Sequence, residues 1–110
     1  MILKEVVELL KAEVHSGADK LSREVKSGYA SDLLSEVMAG AKVGQLWFTV
    51  QTHPNVAAVA LLTDLGAVII TGGHKPEPDT VTKADAEGMV MLSTGFSTFE
   101  AINILSQAGL

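Results

Sequence analysis

Three hydroxyl residues recur at an even interval along this chain. Thr49, Thr71 and Ser93 stand 22 residues apart, each closing a run that opens on glycine and continues through four mostly apolar residues: Gly44-Gln-Leu-Trp-Phe-Thr49, Gly66-Ala-Val-Ile-Ile-Thr71 and Gly88-Met-Val-Met-Leu-Ser93. Polar and small residues follow each hydroxyl: His53 and Asn55 after the first, Gly72, Gly73 and His74 after the second, Thr94, Gly95 and Ser97 after the third. Hydroxyls, imidazoles and glycine N–H groups gathered at one place hold a small anion. Ser31 and Asp32, closing an earlier stretch, join the candidate set. The same residue types also serve any strand-to-helix turn, where they cap the next helix.

Stronger chemistry finds less support. His53 and His74 together offer two metal ligands, but a third from Asp32, Asp79 or Glu77 lacks any close ligand spacing. Gly72-Gly73 lacks the spacing and lysine of a nucleotide-binding P-loop. There is no Gly-x-Ser-x-Gly elbow, no paired-carboxylate motif and no cysteine nucleophile. Two histidines without an orienting partner are not a mechanism. A non-catalytic role without a cofactor is the expectation, and a small enzyme using His53 or His74 is the weakest alternative.

The elements that must position these residues follow from periodicity. Leu3, Val6, Val7 and Leu10 trace one face of a helix over residues 2–11. Glu13-Val14-His15 reads as a short edge strand in which His15 has no identifiable partner. Residues 25–31 read as a second strand, with Gly28 marking a bulge or a close backbone approach. Asp32 is placed to cap a helix carrying Leu34, Val37, Met38 and Ala41 on one face. Pro54 opens another helix, with Ala58, Leu61, Leu62 and Leu65 as its inward stripe and Gly66 as its left-handed stop. A weakly patterned helix covers 79–87 and ends at Gly88. Ser97-Thr-Phe-Glu100 is a capping box opening the last helix, whose Phe99, Ile102 and Leu105 should pack inward.

Strands alternating with helices predict an α/β fold, a three-layer sandwich around a mainly parallel sheet. Thr49, Thr71 and Ser93 then end at one carboxyl edge, where ligands of open α/β sheets bind. Trp47, Met89 and Met91 belong to the core. Tyr29, beside Gly28, is a candidate for ligand stacking or a dimer contact.

Composition sets outer limits. With 110 residues, 47% of them apolar and 19% charged, the chain forms one domain over residues 1–110. Eight basic against thirteen acidic residues give a net charge of −5, which disfavours nucleic acid and anionic membranes. No apolar run approaches the roughly 20 residues of a membrane span. Acidic residues near the N-terminus are unlike a signal peptide, and the absence of cysteine fits a reducing compartment, so a cytoplasmic location is expected.

Gly28-Tyr-Ala-Ser-Asp-Leu-Leu-Ser-Glu-Val-Met-Ala, the turn Thr49-Val-Gln-Thr-His-Pro-Asn, and Gly88-Met-Val-Met-Leu-Ser-Thr-Gly-Phe-Ser-Thr-Phe-Glu together resemble the DRTGG domain family along essentially the whole chain. Ile70-Thr71-Gly72-Gly73 is the fragment nearest to the five-letter signature. The resemblance implies a fold similar to the N-terminal domain of the bacterial HPr kinase/phosphorylase, without that kinase's P-loop. It further implies a regulatory or ligand-sensing module of the kind found within phosphotransacetylases and CBS-domain pyrophosphatases, and it carries over no catalytic residue. The expected partners are a second copy of the chain, a small anionic metabolite or nucleotide, and an enzyme that the module regulates. A pure protein–protein interaction module is the alternative.

Overall fold

The computed structural model describes all 110 residues. Its elements are α1 (Leu3–Leu10), β1 (Glu13–Ser16), β2 (Gly28–Ala30), α2 (Leu34–Gly40), β3 (Leu46–Thr49), α3 (Pro54–Leu62), β4 (Ala67–Ile70), α4 (Pro78–Ala86), β5 (Met91–Ser93) and α5 (Thr98–Gln107), with one 3-10 turn at Ala18–Lys20. The five strands form a single sheet in the order β1-β5-β4-β3-β2. β2 to β5 run parallel, and β1 pairs antiparallel with β5. The expected α/β sandwich is what forms.

Alternation along the strands builds two cores. Leu46, Phe48, Ala67, Ile69 and Leu92 point to one face and meet Leu3, Val6 and Leu10 of α1 with Ala101 and Leu105 of α5. Trp47, Val68, Ile70 and Met91 point to the other and meet Val37 of α2, Val56 and Ala60 of α3, and Ala84 of α4. Strands buried on both faces read as continuous apolar runs, which is why they stand out in the sequence. Trp47 is fully buried and its indole N–H donates to the Ser31 carbonyl at 2.8 Å.

Several expectations need correction. β2 holds three residues instead of the seven expected over 25–31. Val25 leaves the sheet, buries itself in the α1–α5 core, and donates its N–H to the Met1 carbonyl. Gly28 forms no bulge; a Cβ there would stand 2.8 Å from the Phe48 ring, so close approach explains it. Gly66 is not the left-handed stop of α3. Asp64 takes that conformation at φ 51°, and Gly66 is needed because a Cβ would stand 2.7 Å from the Gly44 carbonyl oxygen. The inward face of α3 is Val56, Ala57, Val59 and Ala60; of the expected stripe, Leu65 is buried just past the helix and Leu61 packs against the same core, while Leu62 is 74% exposed. On α5, Leu105 and Ala101 are buried, but Phe99 is 82% exposed and Ile102 is also exposed. The capping box at Ser97 and Glu100 forms as read, with both reciprocal hydrogen bonds present.

Candidate functional site

Parallel pairing brings the ends of β3, β4 and β5 to one edge. The register sets Thr49 beside Ile70 and Ile70 beside Ser93, so Thr71 stands one residue beyond the row. Thr49, Thr71, Ser93 and Thr94 are all buried. Each hydroxyl is engaged within the chain. Thr49 donates to Asp32 Oδ1 at 2.9 Å, and Thr71 shares a 2.7 Å hydrogen bond with Thr98. Thr94 donates to the Leu10 carbonyl at 2.7 Å, and Ser93 lies 2.7 Å from His15 Nε2. No buried side-chain polar atom is left without a partner.

Asp32 does not cap α2. The residue at that position is Leu33, with no side-chain cap, and the Asp32 carboxylate instead accepts from the Thr49 hydroxyl and the Val50 N–H, 2.9 Å each. Ser31 accepts from the Leu33 N–H. These bonds tie the end of β2 to the end of β3. His53 is the N-cap of α3, its Nδ1 accepting the Asn55 N–H at 3.1 Å. The Gly72 and Gly73 N–H groups are taken by the carbonyls of Phe96 and Thr94. The strand-end residues thus serve turns and caps, and the surface they leave open is shaped by the loops between them.

One such surface is a concavity of about 210 Å³ at the β4–β5–β1 end of the edge. Four of the candidate residues, Gly73, His74, Ser93 and Thr94, line it together with Lys11, Glu13, Lys75 and Gly95. A second hollow of about 390 Å³ shares Lys11, Thr94 and Gly95 with it and continues past Leu10 and Phe96 to Glu100. Ser31, Asp32, Thr49, His53, Asn55, Thr71 and Gly72 line neither, so His53 and His74 occupy different surroundings. No group of three His, Cys, Asp or Glu side chains is arranged to hold a metal ion.

The residues that sequence reasoning missed are Lys11, Glu13, His15 and Lys75. Lys11 ends α1 in the left-handed region, φ 49° and ψ 43°, where glycine or asparagine is the usual occupant. Its ammonium has no ion-pair partner. Lys75 bonds the Glu13 carboxylate at 3.1 Å, and this ammonium holds the Glu13 carboxyl below its ordinary range. His15 sits where the β1–β5 register slips between Val14 and Ser16, and the irregularity re-aims its ring. Burial holds its pKa below 6.5, against the pull of nearby Glu13. The ring is therefore neutral at pH 7, and its 3.4 Å approach to Glu13 is not an ion pair.

Ser93, His15 and Glu13 invite comparison with a hydrolytic triad, and the geometry fails it. Glu13 approaches Nε2, the same nitrogen that meets Ser93, so no carboxylate holds the ring from its far side. Ser93 is also buried.

Fold and edge together define a small α/β module built on one mainly parallel sheet. The chain belongs to the DRTGG domain family, whose profile matches residues 5–108. Among solved structures it is similar to the CBS and DRTGG domains of the regulatory region of Clostridium perfringens pyrophosphatase, complexed with its activator diadenosine tetraphosphate. The TM-score is 0.79 at 16% identity, covering 97% of this chain and 46% of the other, so the likeness is one of fold and the chain spans under half of that region. Comparison with curated proteins gives no match. No helix is long and apolar enough to cross a membrane.

Proposed function

We propose that this chain is a non-catalytic regulatory domain that acts as a homodimer and binds a small anionic metabolite or nucleotide at the carboxyl edge of its sheet. The carrying observation is the concavity where Gly73, His74, Ser93 and Thr94 meet Lys11 and Lys75. In a chain of net charge −5, this hollow sets Lys11 and Lys75 against the single carboxylate of Glu13, a local reversal of sign. Lys11 stands there in a backbone conformation that glycine would adopt with less strain. The adjoining hollow offers an elongated ligand, such as a nucleotide, the Phe96 side chain for an apolar contact between Lys11 and Glu100. The regulatory role is supported by family membership and by the nucleotide activator of the pyrophosphatase region, and a partner enzyme would receive the signal.

A thermal-shift screen of adenine nucleotides, diadenosine tetraphosphate included, with acyl phosphates and phosphosugars tests this reading. A ligand at a hundred times its Kd stabilises the fold by about 2.7 kcal/mol, a rise of several degrees. Lys11→Gly and His74→Ala should abolish the shift. No shift from any compound would overturn the ligand site and leave a pure interaction module, a reading favoured by the exposed edge at β2.

A further inference from the structure

We infer that the anion site takes its ligand together with a proton, and that His15 is where the proton goes. The inference rests on the hollow proposed above as a ligand site and states how that site is regulated. Four groups stand in a row from the hollow into the protein. The Lys75 ammonium is 3.1 Å from Glu13 Oε1 and 3.4 Å from Oε2. Oε2 also lies 3.4 Å from His15 Nε2, which meets the Ser93 hydroxyl at 2.7 Å. One carboxylate oxygen is thus shared between an ammonium and an imidazole nitrogen. Lys75, Glu13 and Ser93 line the hollow, whereas the His15 side chain stands behind them, 14% exposed.

In the free chain this row is balanced with the ring neutral. Burial is the main cause; Glu13 opposes it, and the Lys75 ammonium weakens that opposition. Other charges near the ring are engaged elsewhere. α4 packs against β1 and carries Asp79, Lys83 and Asp85. Asp85 accepts the Gly17 N–H at 3.1 Å, Lys83 lines a separate hollow with Leu61 and Leu62, and Asp79 is exposed in the first turn. Lys11 and His74 face the ligand hollow itself, and β5 brings only the Ser93 hydroxyl. No carboxylate but Glu13 reaches ion-pair distance of the ring.

An anion that draws Lys75 into the hollow changes this balance in three ways. Glu13 Oε2 loses its cation and keeps the imidazole beside it. Ligand charge offsets the field of the ammonium at the ring. The ligand also brings negative charge next to Ser93. Each change favours the imidazolium, because opposite charge within about 4–6 Å stabilises the charged form. The incoming proton finds acceptors in place, since the Ser93 hydroxyl can turn from donor to acceptor and Glu13 Oε2 lies alongside. Linkage fixes the sign. A ligand that raises the His15 pKa binds most tightly below the free value and loses that gain as pH rises through the bound value.

The test follows the histidine ring resonances of the full chain against pH, free and saturated with diadenosine tetraphosphate. Its phosphates are all internal, so it lacks the terminal second ionisation near about pH 6 that would overlap the signal. The chain has three histidines, and His15→Gln identifies the His15 resonance by its loss. Saturation should raise the His15 midpoint by about one pH unit. Affinity measured by calorimetry between about pH 5 and 8 should strengthen about tenfold toward acid. His15→Gln, which keeps a hydrogen-bonding group beside Ser93, should lose most of that dependence. Glu13→Gln leaves the ring no carboxylate to gain and should shrink the rise. Binding with the His15 midpoint unmoved, or with the rise confined to His74, would overturn this inference and leave the site standing. No binding of diadenosine tetraphosphate or inorganic tripolyphosphate would overturn the site and the inference together. Should His15→Gln fail to fold, His53→Gln and His74→Gln assign the resonances by elimination, and Glu13→Gln decides.

Discussion

Among single residues, His15 and Lys11 show environment overriding side-chain type. His15 is held neutral by burial, its pKa below 6.5. As pH falls through about 6.5, the unfolded chain takes up a proton before the folded chain does. The stability due to the neutral ring is complete above that pH and is lost as pH falls toward the folded value. Glu13, whose carboxyl is also depressed, contributes above 4.5 and is lost only at lower pH, so the two effects separate. The melting temperature of the wild type should drop between pH 7 and the folded His15 pKa, and His15→Gln should flatten that limb while retaining the acid limb. For Lys11, replacement by glycine relieves the left-handed strain but frees more of the unfolded chain, leaving a net gain of about 0.5–1 kcal/mol. Urea denaturation checks it. A variant more stable than wild type yet unable to respond to ligand would separate the role of this lysine from folding.

The helices show where sequence patterning holds and where it fails. α1 alternates charged and apolar residues, and its inward face was legible from Leu3, Val6 and Leu10. α3 is Pro-Asn-Val-Ala-Ala-Val-Ala-Leu-Leu, with no charged residue to mark an outer face. The leucines read as the stripe because they are large, but within α3 the buried face is alanine and valine, and Leu62 is left outside. Ala60→Leu should therefore overpack the core and cost about 1–3 kcal/mol, whereas Leu62→Gln should stay within about 0.5 kcal/mol, both by chemical denaturation. The central strands were legible because glycine, four apolar residues and a hydroxyl mark a strand buried on both sides. β2 was overextended because Val25 is as apolar as a strand residue, and only tertiary pairing reveals that it joins α1. The concavity was half legible: Gly73, His74, Ser93 and Thr94 follow strands, whereas Glu13 and Lys75 meet across 62 positions and His15 and Ser93 across 78. Nothing local announces such pairs.

At the scale of the whole molecule, two cores share one sheet, and neither face can loosen without exposing the strands that the other needs. Unfolding should be a single cooperative event. Fluorescence of Trp47, which reports the α2–α3 face, should track far-UV ellipticity through the same midpoint in urea; separated midpoints would show that the α1–α5 layer unfolds independently. As a homodimer, the chain should also show a thermal midpoint that rises with protein concentration.

The contact between Glu13 and Lys75 bears on how strongly any ligand can hold on. Glu13 is tethered within 3.1 Å of the ammonium and never diffuses away, so it acts as a built-in competitor at a high effective concentration. An anion that recruits Lys75 gains only the difference between its own contact and the one it displaces. Such an exchange sets a threshold: ligands with a single charge gain little by evicting the carboxylate, whereas those with several charges along one scaffold can do so and still engage Lys11. The internal pair would then discriminate by charge number before any shape is read, and the loop that carries Lys75 would register the exchange as a release from β1.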